Sequence, residues 1–256
     1  MNMKINFKSL PVLSLGLGLL TCVIRVALLT LGRDGKGLLT VWHPLNVLAW
    51  AVTAVAVALV ILGVWKLDGS RKYEHNFAPS LAAAVGCCLL AGGIAASVVS
   101  GLGSWTRMTG ICSLCGLLTV PALALAGLNR KQGKRPFFGF HAIVWLYLAL
   151  CAVSRYQIWS SRPQMQNWFF NMAALLMLTV FAYYQTAFDE NMGNRRMLLG
   201  SGLLAAFFCV AAMANGEDVL LYLTGAVWAV TNLCSLTPVK RRRRNPVTEE
   251  AQEDAE

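Results

Sequence analysis

Acidic residues are scarce in this chain: Asp and Glu number 12 in 256 residues, against 22 Lys and Arg, and only 13% of residues are charged. An ordinary soluble domain is about 25% charged, so a water-facing surface of the usual kind is excluded. The long apolar segments hold almost no acid, which removes the usual proton or sodium relay of an energised transporter. They also lack the pair of well-placed acids, or the histidine, that an enzyme working on lipid would need for proton transfer. The three histidines, His43, His75 and His141, fall on different loops or helix ends, and no two have ligand spacing. That pattern gives no zinc or haem site, and no cofactor is expected. A phosphate-cradling Gly-x-x-x-x-Gly-Lys-Ser/Thr loop is missing too, which excludes ATP hydrolysis by that route.

What fills the chain instead is hydrocarbon: 57% of residues are hydrophobic and the mean hydropathy is +0.56. The apolar runs are about 20 residues long, enough for a helix rising 1.5 Å per residue to cross a core of about 30 Å. They are continuous and do not alternate with period two, so helices are expected and a barrel is not. Eight spans follow: 10–32, 44–65, 79–101, 108–128, 138–159, 166–188, 197–214 and 219–238. The chain reads as an all-α polytopic transmembrane bundle over residues 1–239, followed by a tail at 240–256. Met1 to Lys8 and the run behind them have the outline of a secretory signal, but the run is long, contains Arg25 and lacks an Ala-x-Ala site. It is read as an uncleaved first helix.

Positive charge orients the bundle, because cytoplasmic connections retain Lys and Arg. The connections on the side of both termini hold Lys4, Lys8, Lys66, Arg71, Lys72, Arg130, Lys131, Lys134, Arg135, Arg195, Arg196, Lys240 and Arg241 to Arg244, sixteen in all. The opposite side holds five: Arg33, Lys36, Arg107, Arg155 and Arg162. Both ends are therefore expected in the cytoplasm and the protein in the plasma membrane, as a multi-pass chain. The net charge of +10 is a topology signal on this reading, and nucleic acid is not a partner. The partner expected throughout is the lipid bilayer. Lys240, Arg241, Arg242, Arg243 and Arg244 act as a stop signal and as a patch for anionic lipid headgroups, and the acidic stretch after Pro246 is read as disordered.

Packing has its own marks. In the third span Gly93, Ser97 and Gly101 recur every four residues, and Gly92, Ala96 and Ser100 form a second such row. Small residues at that spacing let helix backbones approach closely, so this helix is expected to lie buried, with Ser97→Leu destabilising. A parallel repeat of two four-helix halves is suggested by Cys22-Val-Ile-Arg25 against Cys151-Ala-Val-Ser-Arg155 and by Asn46 against Asn171.

The candidate sites are few. Charges inside hydrocarbon are costly and usually face a bundle interior, which singles out Arg25 and Arg155. With Asp34, His43, Asn46, Arg107 and Arg162 they are expected to form an extracytoplasmic cationic pocket for a small anionic ligand, a phosphate or a carboxylate. The alternative is that each Arg snorkels to the interface. Cys112-Ser-Leu-Cys115, at the start of the fourth span, has two thiols on one helical face near a helix N-terminus. Here the chain faintly resembles the membrane thiol oxidoreductases that pass electrons to quinone, the vitamin K epoxide reductases among them. The resemblance implies a redox role for Cys112 and Cys115 but covers those four residues, and the second cysteine pair of those families is missing. Asp34-Gly-Lys-Gly-Leu-Leu with His43-Pro44, and Phe207-Phe208-Cys209, resemble a set of polytopic membrane proteins of anaerobic Gram-positive gut bacteria, uncharacterised as a set. That resemblance implies no function. The reading that fits best is a binding, transport-related or accessory membrane component, open to partner subunits, with a thiol oxidoreductase and a lipid-modifying enzyme as alternatives.

Overall fold

The computed structural model describes residues 9–32, 39–40, 42–65, 71–101, 107–161 and 165–237. Nine α-helices and two short 3-10 turns account for nearly all of them, with no strand among the described residues. In chain order the helices are α1 (Leu10–Leu31), α2 (Pro44–Trp65), α3 (Tyr73–Asn76), α4 (Leu81–Gly101), α5 (Arg107–Gln132), α6 (Phe138–Ser160), α7 (Phe169–Asp189), α8 (Arg195–Ala212) and α9 (Val219–Cys234). Seven are long and apolar enough to cross a membrane, so the protein is an integral membrane protein built as an all-α bundle. The eighth expected span is shorter: α9 has 16 residues, a rise of about 24 Å against a core of about 30 Å.

Local chemistry sets the ends. Pro11 sits in the first turn of α1 and Pro44 opens α2, where the missing N–H is an orphan in any case. Asn194 caps α8, its side chain accepting from the Arg196 and Met197 amides. Gly216 and Asp218, both left-handed, turn the chain from α8 into α9.

α4, α5, α6, α7, α8 and α9 each pack on the next, and α9 returns to α4, so these six helices close a ring. The α1–α2 hairpin lies outside it, both helices against α8. The most buried element is accordingly α8, at 72% of its apolar window, against 50% for α4 and 28% for α2. α4, expected to be buried, is gripped by α5 and α9 and is second to α8 in burial. Its two small-residue rows also separate. A Cβ on Gly93 would come within 2.1 Å of Thr224 Oγ1 on α9, whereas one on Gly92 would meet nothing within 4 Å. The two halves pack differently, since α7 lies along α8 while α2 makes no comparable contact with α4. A four-helix repeat has no counterpart in this packing.

The near end of the bundle is the one where α1 begins, and the far end the one where α1 finishes. At the near end the one-turn helix α3 ties the ring closed. The Ala78 amide donates to the Ser235 carbonyl, the Thr237 amide to Asn76, and the Tyr73 amide to the Asn191 side chain.

Candidate functional site

At the far end α1 brings Arg25 against the outside of the ring. Arg25 is 4% exposed, and its guanidinium donates to the Ala211 carbonyl (3.0 Å), the Asn167 carbonyl (2.9 Å) and Asn215 Oδ1 (2.7 Å). The Phe170 ring faces it at 4.2 Å. Asn215 in turn donates to Asn167 and Asn171, so one polar chain runs from α1 through both 3-10 turns into α7. Every acceptor around Arg25 is neutral, and among the described residues no carboxylate pairs with it. A buried full charge that the described residues meet only with neutral dipoles is costly, and in a membrane interior such a charge is a functional candidate. Beside it lies a cavity of about 60 Å³, lined by Arg25, Thr40, Asn46, Trp50, Asn167 and Phe170 among others.

The expected single pocket is thus divided. Arg25 and Asn46 share this cavity. His43 instead faces the start of α2, where its Nδ1 accepts the Leu45 amide at 3.3 Å. Arg155 stands elsewhere, its Nη2 donating to Asp218 Oδ1 at 2.6 Å. Asp34, Arg162 and the side chain of Arg107 lie outside the described residues, as do Lys240 to Arg244.

Arg155 lines a second far-end cavity, of about 90 Å³, together with Cys112, Tyr147, Cys151 and Ser154. The thiol of Cys112 interacts there with Cys151 of α6 and with Ser154, while Cys115, one turn on, packs against the apolar core. Sequence spacing proposed the partner on the same helix; the fold supplies a different one across a helix interface. All eight cysteines are free thiols.

The near end holds a polar group that sequence reasoning missed. His141 Nδ1 and Asp189 Oδ2 are 2.6 Å apart and both residues are fully buried. Beside them Arg130, 1% exposed, donates through Nη2 to Gln185 Oε1 at 2.7 Å and lies 3.8 Å over the Phe77 ring and 5.2 Å over that of Tyr73. Arg195, also buried, donates to Asn76 Oδ1 and to the Thr237 carbonyl. Two corrections follow. Arg130 and Arg195 are not loop charges, because α5 runs on to Gln132 and α8 begins at Arg195. Nor do the spans lack acid and histidine, because Asp189 is the last residue of α7 and His141 belongs to the first turn of α6. The clue in the sequence was that His141 stands in the first turn of an expected span and Asp189 one residue past the end of another. Gln185 Nε2 and Asp189 Oδ1 find no hydrogen-bond partner among the described residues. Between the near-end group and Asn171 at the far end, α7 presents only Ala174, Leu175, Leu178, Phe181 and Ala182 to the interior as fully buried residues, an apolar layer that separates the two.

No protein-family model, no curated protein and no solved structure matches the chain.

Proposed function

We propose that the protein is a membrane-embedded binding component whose far-end cavity takes a small anionic group, a carboxylate or a phosphate, at Arg25. The observation that carries this reading is a buried guanidinium that no carboxylate among the described residues pairs with, facing a cavity also lined by Asn46 and Thr40. An anion there would complete the electrostatics of Arg25 and accept from neutral donors on α2. The closed near-end pair His141–Asp189 offers no route for a lipid substrate, which disfavours the lipid-modifying reading.

The test is the melting temperature of the purified protein titrated with inorganic phosphate and with acetate. A saturable rise with one of them is expected, abolished by Arg25→Gln and weakened by Asn46→Ala. A rise that survives in Arg25→Gln overturns the assignment.

The facing thiols favour a second reading. If Cys112 and Cys151 act on a disulfide-bearing partner, the two thiols become one disulfide, and their two electrons and two protons pass to the partner, whose disulfide becomes a dithiol. Peptide mapping after treatment with oxidised glutathione would show a Cys112–Cys151 link, retained in Cys115→Ser. A Cys112–Cys115 link, or none, counts against it.

The charge bias of the connections supports a plasma-membrane protein with both termini in the cytoplasm, and Lys240 to Arg244 would lie against anionic headgroups there. The likeness to the bacterial set named above is compatible with this reading and adds no function to it.

A further inference from the structure

α2 and α7 both pack on α8, and they meet at the far end, where the Trp50 ring lies 4.7 Å from Phe169 and 5.8 Å from Phe170. Towards the near end they part and leave a groove of about 460 Å³, floored by α8, within the range of roughly 300–1,000 Å³ typical of small-ligand sites. Its walls are aliphatic and aromatic, with Val60, Ile61 and Val64 on one side and Met177 and Val180 on the other. Along α8 it runs from Arg196 to Leu204, about 12 Å of helix rise. The floor is Gly200, where an added Cβ would meet nothing within 4 Å. Ser201, beside it, turns its hydroxyl back to its own helix.

The polar groups gather at the mouth. Trp65, 70% exposed, and Tyr184 stand there as interface aromatics do, and Arg196 is the cation between them. A groove that is dry along its length, open sideways towards hydrocarbon and charged only at the headgroup level is shaped for a molecule with the same division. A second copy of the chain fits less well, because the bulky rims of Trp65 and Tyr184 keep another helix from the close approach that small-residue contacts need.

We propose that this groove is a specific site for one acyl chain of an anionic glycerophospholipid, with the phosphate at Arg196. It is separate from the Arg25 cavity, which lies at the opposite end of the bundle.

The experiment is native mass spectrometry of the full-length protein in mild detergent, with phosphatidylglycerol and phosphatidylcholine of matched chains. One phosphatidylglycerol should be retained at least tenfold over phosphatidylcholine. Gly200→Leu, which has open space to fill, should keep the parent's melting temperature and lose that lipid at least tenfold. Ile61→Trp, from the 49%-exposed rim, should act in the same direction if Gly200→Leu is poorly folded. Arg196→Gln should still hold a lipid but no longer prefer the anionic one. Retention unchanged in both filling variants, preference unchanged in Arg196→Gln, or loss of a dimer in place of loss of lipid would each overturn the proposal.

Discussion

Two ionic contacts at opposite ends of the bundle behave differently because their burial differs. Asp218 lies outside the spans, 11% exposed at its side chain, and meets an Arg155 that is 33% exposed. Burial pushes its carboxyl up from the ordinary range, and the guanidinium pulls it back only in part. A carboxyl raised on folding contributes stability below the ordinary value of about 4 and loses it as pH rises through the raised value. Asp218→Asn, which suits the left-handed φ of +50°, should therefore gain in melting temperature relative to the parent between pH 4 and pH 7. A constant difference across that range would refute the assignment. At the near end His141 and Asp189 are fully buried, so removing one partner strands the other. His141→Leu should cost about 3–5 kcal/mol in unfolding free energy, and the double change His141→Leu with Asp189→Leu should recover much of it. A double-variant loss equal to the sum of the two single losses would show that the pair is not coupled. This contact was illegible in the sequence: its members are 48 positions apart, and a hydropathy drop places Asp189 just outside its apolar run. Arg25, by contrast, was legible, because a cation inside an apolar run stands out with no knowledge of its partners.

Helix boundaries could be read closely from hydropathy, proline and turn residues, and α1, α2, α4 and α6 depart by no more than two residues from expectation. Which face of each helix turns inward could not. In lipid the outward face is as apolar as the inward one, so the periodicity that marks a surface helix of a soluble protein is missing. Both rows of small residues in α4 were visible, but choosing between them needs the position of α9. Thr224 is tied to its own helix through the carbonyls of Leu220 and Leu221, and Thr231 likewise stands 2.1 Å from where a Cβ on Gly86 would be. Gly93→Ala should thus destabilise by about 1–3 kcal/mol, the usual cost of overpacking, while Gly92→Ala should be nearly neutral. Thermal unfolding of both variants in detergent decides it, and equal effects would mean that α9 does not sit where Thr224 places it.

For the whole molecule, ring closure depends on α4 meeting α9, more than a hundred residues later, a long-range pairing no local pattern announces. The consequence is that the shortest helix of the ring is also the one that seals it. α9 rises about 24 Å, less than the hydrocarbon thickness, and a short span is accommodated by thinning the bilayer or drawing in flanking residues. Its last residue, Cys234, is exposed and should lie close to a membrane surface. If the charge bias sets the orientation, that surface is cytoplasmic. In a variant keeping Cys234 alone among the cysteines, a membrane-impermeant maleimide added to intact cells should leave it unlabelled, and permeabilised cells should label fully. A reporter fused after Pro246 should report the cytoplasm in the same cells. Labelling from outside together with an external reporter would invert the bundle and put the Arg25 cavity on the cytoplasmic side, where the anions available to it are those of the cell interior.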